Sequence, residues 1–181
     1  LNERKISSNL FAIEPSKRNC QQLTENKIKN FQGTIENFSD QNKKKFFDIL
    51  TVMWTMCNTS DPNKVLRSAH KLCKKNGYIV IAESSRILVP FKKPIQMYIP
   101  KGNPDNHAFH FSKNSLCNLL VLNKFRPVYI NRYIDSDCLF VIAKKINSIE
   151  TKNLKIDNYK KVKRFFSDWY QDSKKYKSES L

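Results

Sequence analysis

Two of the three histidines in this 181-residue chain, His107 and His110, stand three residues apart in the stretch NHAFHFSKNSLCNLL. An imidazole titrates near neutrality, so either ring is a candidate proton acceptor. Tyr98, in the Pro-rich stretch just before them, is a lesser partner for the same task. The spacing is also that of a His-x-x-His metal pair, but no further ligand cluster accompanies it. Histidines placed just before Ser112 can equally cap and staple the start of a helix. The second chemical group is Glu14, in LFAIEPSKRNCQQL. A carboxylate at the carboxyl end of a strand can accept two hydroxyl donors, and ligands bind at that edge of open α/β sheets. The plainer alternative is an acid favoured by the dipole of the helix that Pro15 and Ser16 open.

Bulk composition narrows the classes. A hydrophobic share of 40% with 12 Phe suits a globular domain with a real core. The formal charge is +17 and the pI about 9.7, which by themselves favour an anionic partner such as nucleic acid, a membrane surface or a phosphorylated substrate. Heavy use of Lys, Asn and Ile with only 3 Gly is also the mark of an AT-rich genome, so a solvated basic face explains much of the charge. The five cysteines (20, 57, 73, 117, 138) contain no C-x-x-C pair, which argues against a disulfide framework and a zinc site. A reduced, cytoplasmic setting is expected. No apolar run approaches the roughly 20 residues that span a bilayer.

The elements that must position these groups alternate. Leu10–Ile13 reads as a strand, Ser16–Lys27 as a helix with Cys20 and Leu23 inward, and Ile28–Phe31 as a short strand leading into a loop, GTIENF. FFDILTVM, Phe46–Met53, is the pattern of a parallel strand covered on both faces. Asp61–Pro62 opens a helix whose stripe is Val65, Leu66, Ala69, Leu72 and Cys73, and Asn76–Gly77 is expected to end it. Tyr78–Ala82 is the next strand, closed by Glu83. Residues 84–111 are expected to be irregular. Ser112 caps a helix with Leu116, Leu119, Leu120 and Leu122 apolar, and Pro127–Ile134 and Cys138–Ala143 read as a hairpin about Asp135–Asp137. Such alternation means an α/β sheet with right-handed crossovers. From residue 147 the chain turns polar and basic, with Tyr159, Val162, Phe165, Phe166, Trp169 and Tyr170 spaced for one helical face.

This order resembles a class I S-adenosylmethionine-dependent methyltransferase from its second strand onward, over about residues 5–145. The most specific segment is FFDILTVMWTMCNTSDPNKVLRSAHKLCKKNGYIVIAES: a Phe-Asp strand, a short loop, Asp-Pro, an amphipathic helix, an Asn-Gly turn and a strand ending in an acid. The resemblance implies a Rossmann-like, mostly parallel sheet with a C-terminal antiparallel hairpin. It divides the chain into a partial methyltransferase domain, 1–146, and a basic amphipathic C-terminal helix, 147–181. It implies S-adenosylmethionine as cofactor, with Glu14 and Pro15 at its ribose, Ile35 and Glu36 near its adenine, and Trp54 lining a pocket. A bland core role for Trp54 and Met56 stays open, because many relatives carry a histidine-containing sequence where this chain has Trp54-Thr55-Met56-Cys57. His-containing segments like NHAFHF occur in methyltransferases of sugar and surface-polysaccharide pathways. That implies a sugar or other small-molecule acceptor, with His107 or His110 taking its proton as the methyl arrives.

The family's first strand and its glycine-rich turn are expected to be missing. The only glycines are Gly33, Gly77 and Gly102, and just 13 residues precede Glu14. An N-terminally truncated fragment that binds cofactor weakly follows. Two rivals stand beside this reading. An RNA methyltransferase is suggested by the charge, but no Asn-Pro-Pro-Tyr type motif or Pro-Cys nucleophile supports it, so nucleic acid is the less favoured partner. A non-catalytic α/β binding module, docking through its basic aromatic C-terminal helix, is the other. An NAD-binding domain would show the same acid after a strand, but the FDILTVM–IVIAES block leans away from it.

Overall fold

The computed structural model describes residues 9–42, 44, 46–94, 107–132, 138–149 and 151–179. Tyr98 and the Asp135–Asp137 turn lie outside the described residues. The chain divides into two compact units, Leu1–Lys44 and Lys45–Leu181.

In the first unit, β1 (Phe11–Glu14) and β2 (Lys29–Gln32) pair in parallel, Glu14 opposite Gln32. Antiparallel strands can be joined by a tight turn, whereas this parallel pair needs a crossover, which α1 (Lys17–Glu25) supplies. Ser16 caps α1 by accepting from the Asn19 N–H at 3.4 Å. The helix stops two residues before the expected Lys27, because Lys27 turns left-handed (φ 58°) and its N–H returns to the Thr24 carbonyl. The GTIENF stretch is not the expected loop. From Ile35 it winds into α2 (Ile35–Gln41), capped by Thr34, which accepts from the Asn37 N–H at 3.3 Å. Phe38 is buried between the rings of Phe11 and Phe31, at centroid distances of 5.2 and 5.1 Å.

The second unit holds a four-stranded sheet in the order β3 (Phe47–Met53), β4 (Cys73–Glu83), β6 (Leu139–Lys145), β5 (Phe125–Ile130). β3 and β4 are parallel, while β4–β6 and β5–β6 are antiparallel. With β1–β2, two pairings are parallel and two antiparallel, so strand directions are mixed rather than mostly parallel. β6 returns from the hairpin against β4, which reverses the direction at the sheet's middle. β6 alternates strictly, burying Leu139, Val141, Ala143 and Lys145. β3 was expected to be covered on both faces, but one face is open: Leu50 and Val52 are buried, while Ile49 on the opposite face is 61% exposed.

α3 (Pro62–Leu72) begins at Asp61, whose carboxylate accepts from the N–H groups of Asn63 (2.9 Å) and Lys64 (3.1 Å). It ends at Leu72, not at Asn76–Gly77, because Cys73 is already extended and paired with Phe47. The buried Lys145 ammonium donates to the backbone carbonyls there, His70 at 2.5 Å and Cys73 at 2.7 Å. Gly77 therefore has another job. A Cβ there would stand 2.7 Å from Cys73 Sγ and 2.8 Å from the Asp48 carbonyl oxygen, so only glycine lets β4 pass β3 this closely. α4 (Lys113–Leu122) opens on a capping box between Ser112 and Ser115. α5 (Tyr159–Glu179) lays Trp169 against the unit, its indole N–H donating to the Lys93 carbonyl at 2.9 Å. Val162, Phe165 and Phe166 are half-buried on the same face. Tyr159 and Tyr170 are not on it: they are 75% and 59% exposed, Tyr159 at the helix's first residue and Tyr170 rotated about 100° from Trp169. Among the described residues no helix is long and apolar enough to cross a membrane.

Candidate functional site

Glu14 is the last residue of β1 and is half-buried. Its backbone carbonyl accepts from the Gly33 N–H at 3.0 Å and from Cys20 Sγ at 3.2 Å, which fixes the strand end. Gly33 makes that return possible: its φ is +153°, and a Cβ would lie 2.6 Å from the Phe31 ring. Glu14 Oε1 accepts from the Ser16 N–H at 2.8 Å. Among the described residues no other hydrogen bond or ion pair reaches this carboxylate, so Oε2 retains its full acceptor capacity. A carboxylate held by one oxygen with the other available fits a vicinal diol, the group that the ribose of S-adenosylmethionine presents. Pro15 is exposed beside it. Ile35 and Glu36 stand half-buried in the first turn of α2, where the helix dipole favours the Glu36 charge.

In the second unit the strand ends carry a different construction. Trp54 follows β3 with φ 51°, a left-handed conformation costly for a bulky side chain, and the residue is 57% exposed. The Trp54 backbone N–H donates to the Ala82 carbonyl at 2.7 Å. The next three N–H groups all point at Glu83: Thr55 at 3.2 Å and Met56 at 2.7 Å to Oε1, Cys57 at 3.3 Å to Oε2. Glu83 and Met56 are fully buried, so Met56 is a core residue. Burial, and next the hydrogen bond to Glu83, push the Cys57 thiol up to about 12, so it stays protonated and unreactive. The sequence marked Glu83 only as the acid that closes a strand. Its use as a clamp on the facing loop was missed; the one available signal was a carboxylate ending an otherwise apolar strand.

The histidine segment is brought to these same strand ends. Phe109 N–H donates to the Cys57 carbonyl (3.1 Å), Phe111 N–H to the Ser85 carbonyl (3.1 Å), and Ile87 N–H to the Phe111 carbonyl (2.9 Å). The His110 ring stands edge-on to Phe166 and Trp169 of α5, at 5.5 and 6.0 Å, and 5.9 Å from the His107 ring. Both histidines are half-buried. No group of three or more His, Cys, Asp or Glu among the described residues is placed to hold a metal ion.

The fold has known counterparts. A SAM-dependent methyltransferase of Thermotoga maritima, described as a possible histamine N-methyltransferase, superposes with a TM-score of 0.60 at 19% identity, over 76% of this chain and 73% of that one. A SAM-dependent methyltransferase of Methanosarcina mazei gives 0.53 at 16% identity, over 75% and 81%. The 1,6-didemethyltoxoflavin-N1-methyltransferase of Burkholderia thailandensis, solved with 1,6-didemethyltoxoflavin and S-adenosylhomocysteine, gives 0.53 at 15% identity, over 77% and 62%. At such identities the likeness is one of fold. No curated protein matches the chain. Residues 4–105, more than half the sequence and reaching across both units, match the ubiE/COQ5 methyltransferase family, so this chain belongs to that family and carries a class I SAM-dependent methyltransferase fold.

Proposed function

We propose that the chain serves S-adenosylmethionine-dependent methyl transfer to a sugar or other small-molecule acceptor. The observation that carries this is Glu14: a carboxylate at a strand's carboxyl end, anchored through Oε1 on Ser16, with Oε2 left to accept a hydroxyl, in a chain of the ubiE/COQ5 family. The cofactor, when bound, supplies a methyl carbon that is already electrophilic. The chain's own residues bind and orient. Glu14 takes the ribose hydroxyls beside Pro15, Ile35 and Glu36 flank the adenine, and Trp54 offers its exposed indole face. His107 takes the acceptor proton on a ring nitrogen. His110 is the second choice, since its ring packs on Phe166 and Trp169, and Tyr98 assists. The sugar acceptor rests on the NHAFHF resemblance alone.

The test is an ¹⁵N-correlation titration with S-adenosylhomocysteine, which detects millimolar binding. Amides of Glu14, Ser16, Ile35 and Glu36 and the Trp54 indole N–H are expected to shift. Glu14→Gln is expected to weaken the effect about 10-fold or more, the loss of a charged hydrogen-bond acceptor. 2′,3′-Dideoxyadenosine, which lacks the diol, should leave Glu14 and Ser16 unmoved where adenosine moves them. Equal shifts by both nucleosides would sink the ribose assignment.

A further inference from the structure

A cavity of about 550 Å³ opens in the second unit between the segment after β4, the start of α4 and one face of α5. The family match stops at residue 105, so α4 and α5 lie beyond it. Four cationic side chains line this cavity, Arg86, Lys113, Lys161 and Arg164, against two carboxylates, Asp157 and Asp168. Both acids are already committed within the protein. Asp157 bonds to the Ser112 hydroxyl through one oxygen and takes the Asn114 side-chain amide at 2.7 Å on the other. Asp168 pairs with Arg164 at 3.5 Å, one helical turn away. The lining thus carries an excess of two positive charges, four less two. Among the described residues no carboxylate forms an ion pair with Lys113 or Lys161. Ser112 and Asn114 add polar groups to the wall, and Ile87, Leu88, Val89 and Phe165 make its apolar part. Leu88 is held there at φ 58°, a backbone conformation that leucine adopts only at a cost, and such strain gathers at ligand sites. The volume falls in the range of small-molecule sites, which join apolar walls to a few convergent polar groups.

Two spare charges match a dianion better than a carboxylate. Ammonium groups with a guanidinium beside them suit a phosphoryl group, whose three terminal oxygens accept from several donors at once. We propose that this cavity binds a small phosphate ester, its phosphoryl group on Lys113, Lys161 and Arg164 and its apolar or aromatic body against Leu88 and Phe165. The site is independent of the methyl-transfer reading.

The test is calorimetric titration of the full chain with phenyl phosphate and with inorganic phosphate at constant 0.15 M ionic strength, with folding of each variant checked by circular dichroism. Phenyl phosphate is expected to bind saturably, one per chain, and more tightly than inorganic phosphate. Lys113→Gln with Lys161→Gln is expected to weaken it at least 10-fold. Lys174→Gln with Lys175→Gln removes the same charge from α5, outside the cavity, and is expected to change it less than 2-fold. Phe165→Ala is expected to weaken phenyl phosphate and leave inorganic phosphate unchanged. Equal weakening by the two lysine pairs, no saturation with phenyl phosphate, or indifference to Lys113 and Lys161 would each overturn the proposal.

Discussion

Glu83 offers the sharpest check on how the strand ends are held. Its carboxylate takes three consecutive N–H groups, and Met56 and Cys57 are fully buried, whereas Thr55 is exposed and can turn to water. In Glu83→Ala two buried donors lose their only acceptor, at about 1–3 kcal/mol each, and a cavity replaces the side chain. The expected loss is about 3–5 kcal/mol, a large part of the roughly 5–15 kcal/mol that holds a typical domain. Glu83→Gln keeps one acceptor oxygen for the 2.7 Å Met56 bond but turns an amide donor toward the Cys57 N–H. Its expected cost is smaller, about 1.5–3 kcal/mol. Urea unfolding followed by circular dichroism gives both numbers, and the glutamine variant still reports should the alanine variant fail to fold. The clamp also predicts a local signature: hydrogen exchange at Met56 and Cys57, and thiol labelling of Cys57, should accelerate in both variants more than at Leu139 or Val141 in β6. An alanine variant within about 0.5 kcal/mol of the parent, with unchanged exchange at 56 and 57, would refute the reasoning.

Two further expectations follow from packing and burial. Cys57 titrates near 9.0 when exposed and is raised to about 12 in the fold, so its stabilising effect is complete below pH 9 and is lost as pH climbs toward 12; denaturation midpoints of the parent should fall faster than those of Cys57→Ala across that window, by up to about 1.4 kcal/mol per pH unit. Gly77→Ala places a methyl group 2.8 Å from the Asp48 carbonyl oxygen and should cost about 1–3 kcal/mol in thermal or urea unfolding, and an unchanged midpoint would show that β3 and β4 separate more easily than their register implies.

Much of the element order was legible because local chemistry dictates it. Asp61 before Pro62, Ser112 before Ser115 and the period-2 burial of LFVIAKK are signals that lie within a few residues of one another. The misreadings have a common origin. Thr34 caps a seven-residue helix whose apolar stripe is too short to register as periodic, so GTIENF passed for a loop. Asn76–Gly77 looked like a helix stop, but the strand pairing of Cys73 with Phe47 intervened four residues earlier. The cover on β3 could not be read from its composition, since the face left open carries an apolar residue, Ile49, just as the buried face does.

Taken alone, the amino-acid order determined where helices start, which strands are apolar, that an acid closes β1, and that an α/β methyltransferase fold was to be expected. These follow from caps, periods and punctuation, which act over a turn or two of chain. Only the tertiary structure decided that Glu83 holds the loop carrying Trp54, that the His107–Phe111 segment hydrogen-bonds to the ends of β3 and β4, and that Asp157 reaches back 43 residues to Asn114. Each depends on groups far apart in sequence meeting in a water-poor interior, where a donor must find whichever acceptor the packing supplies.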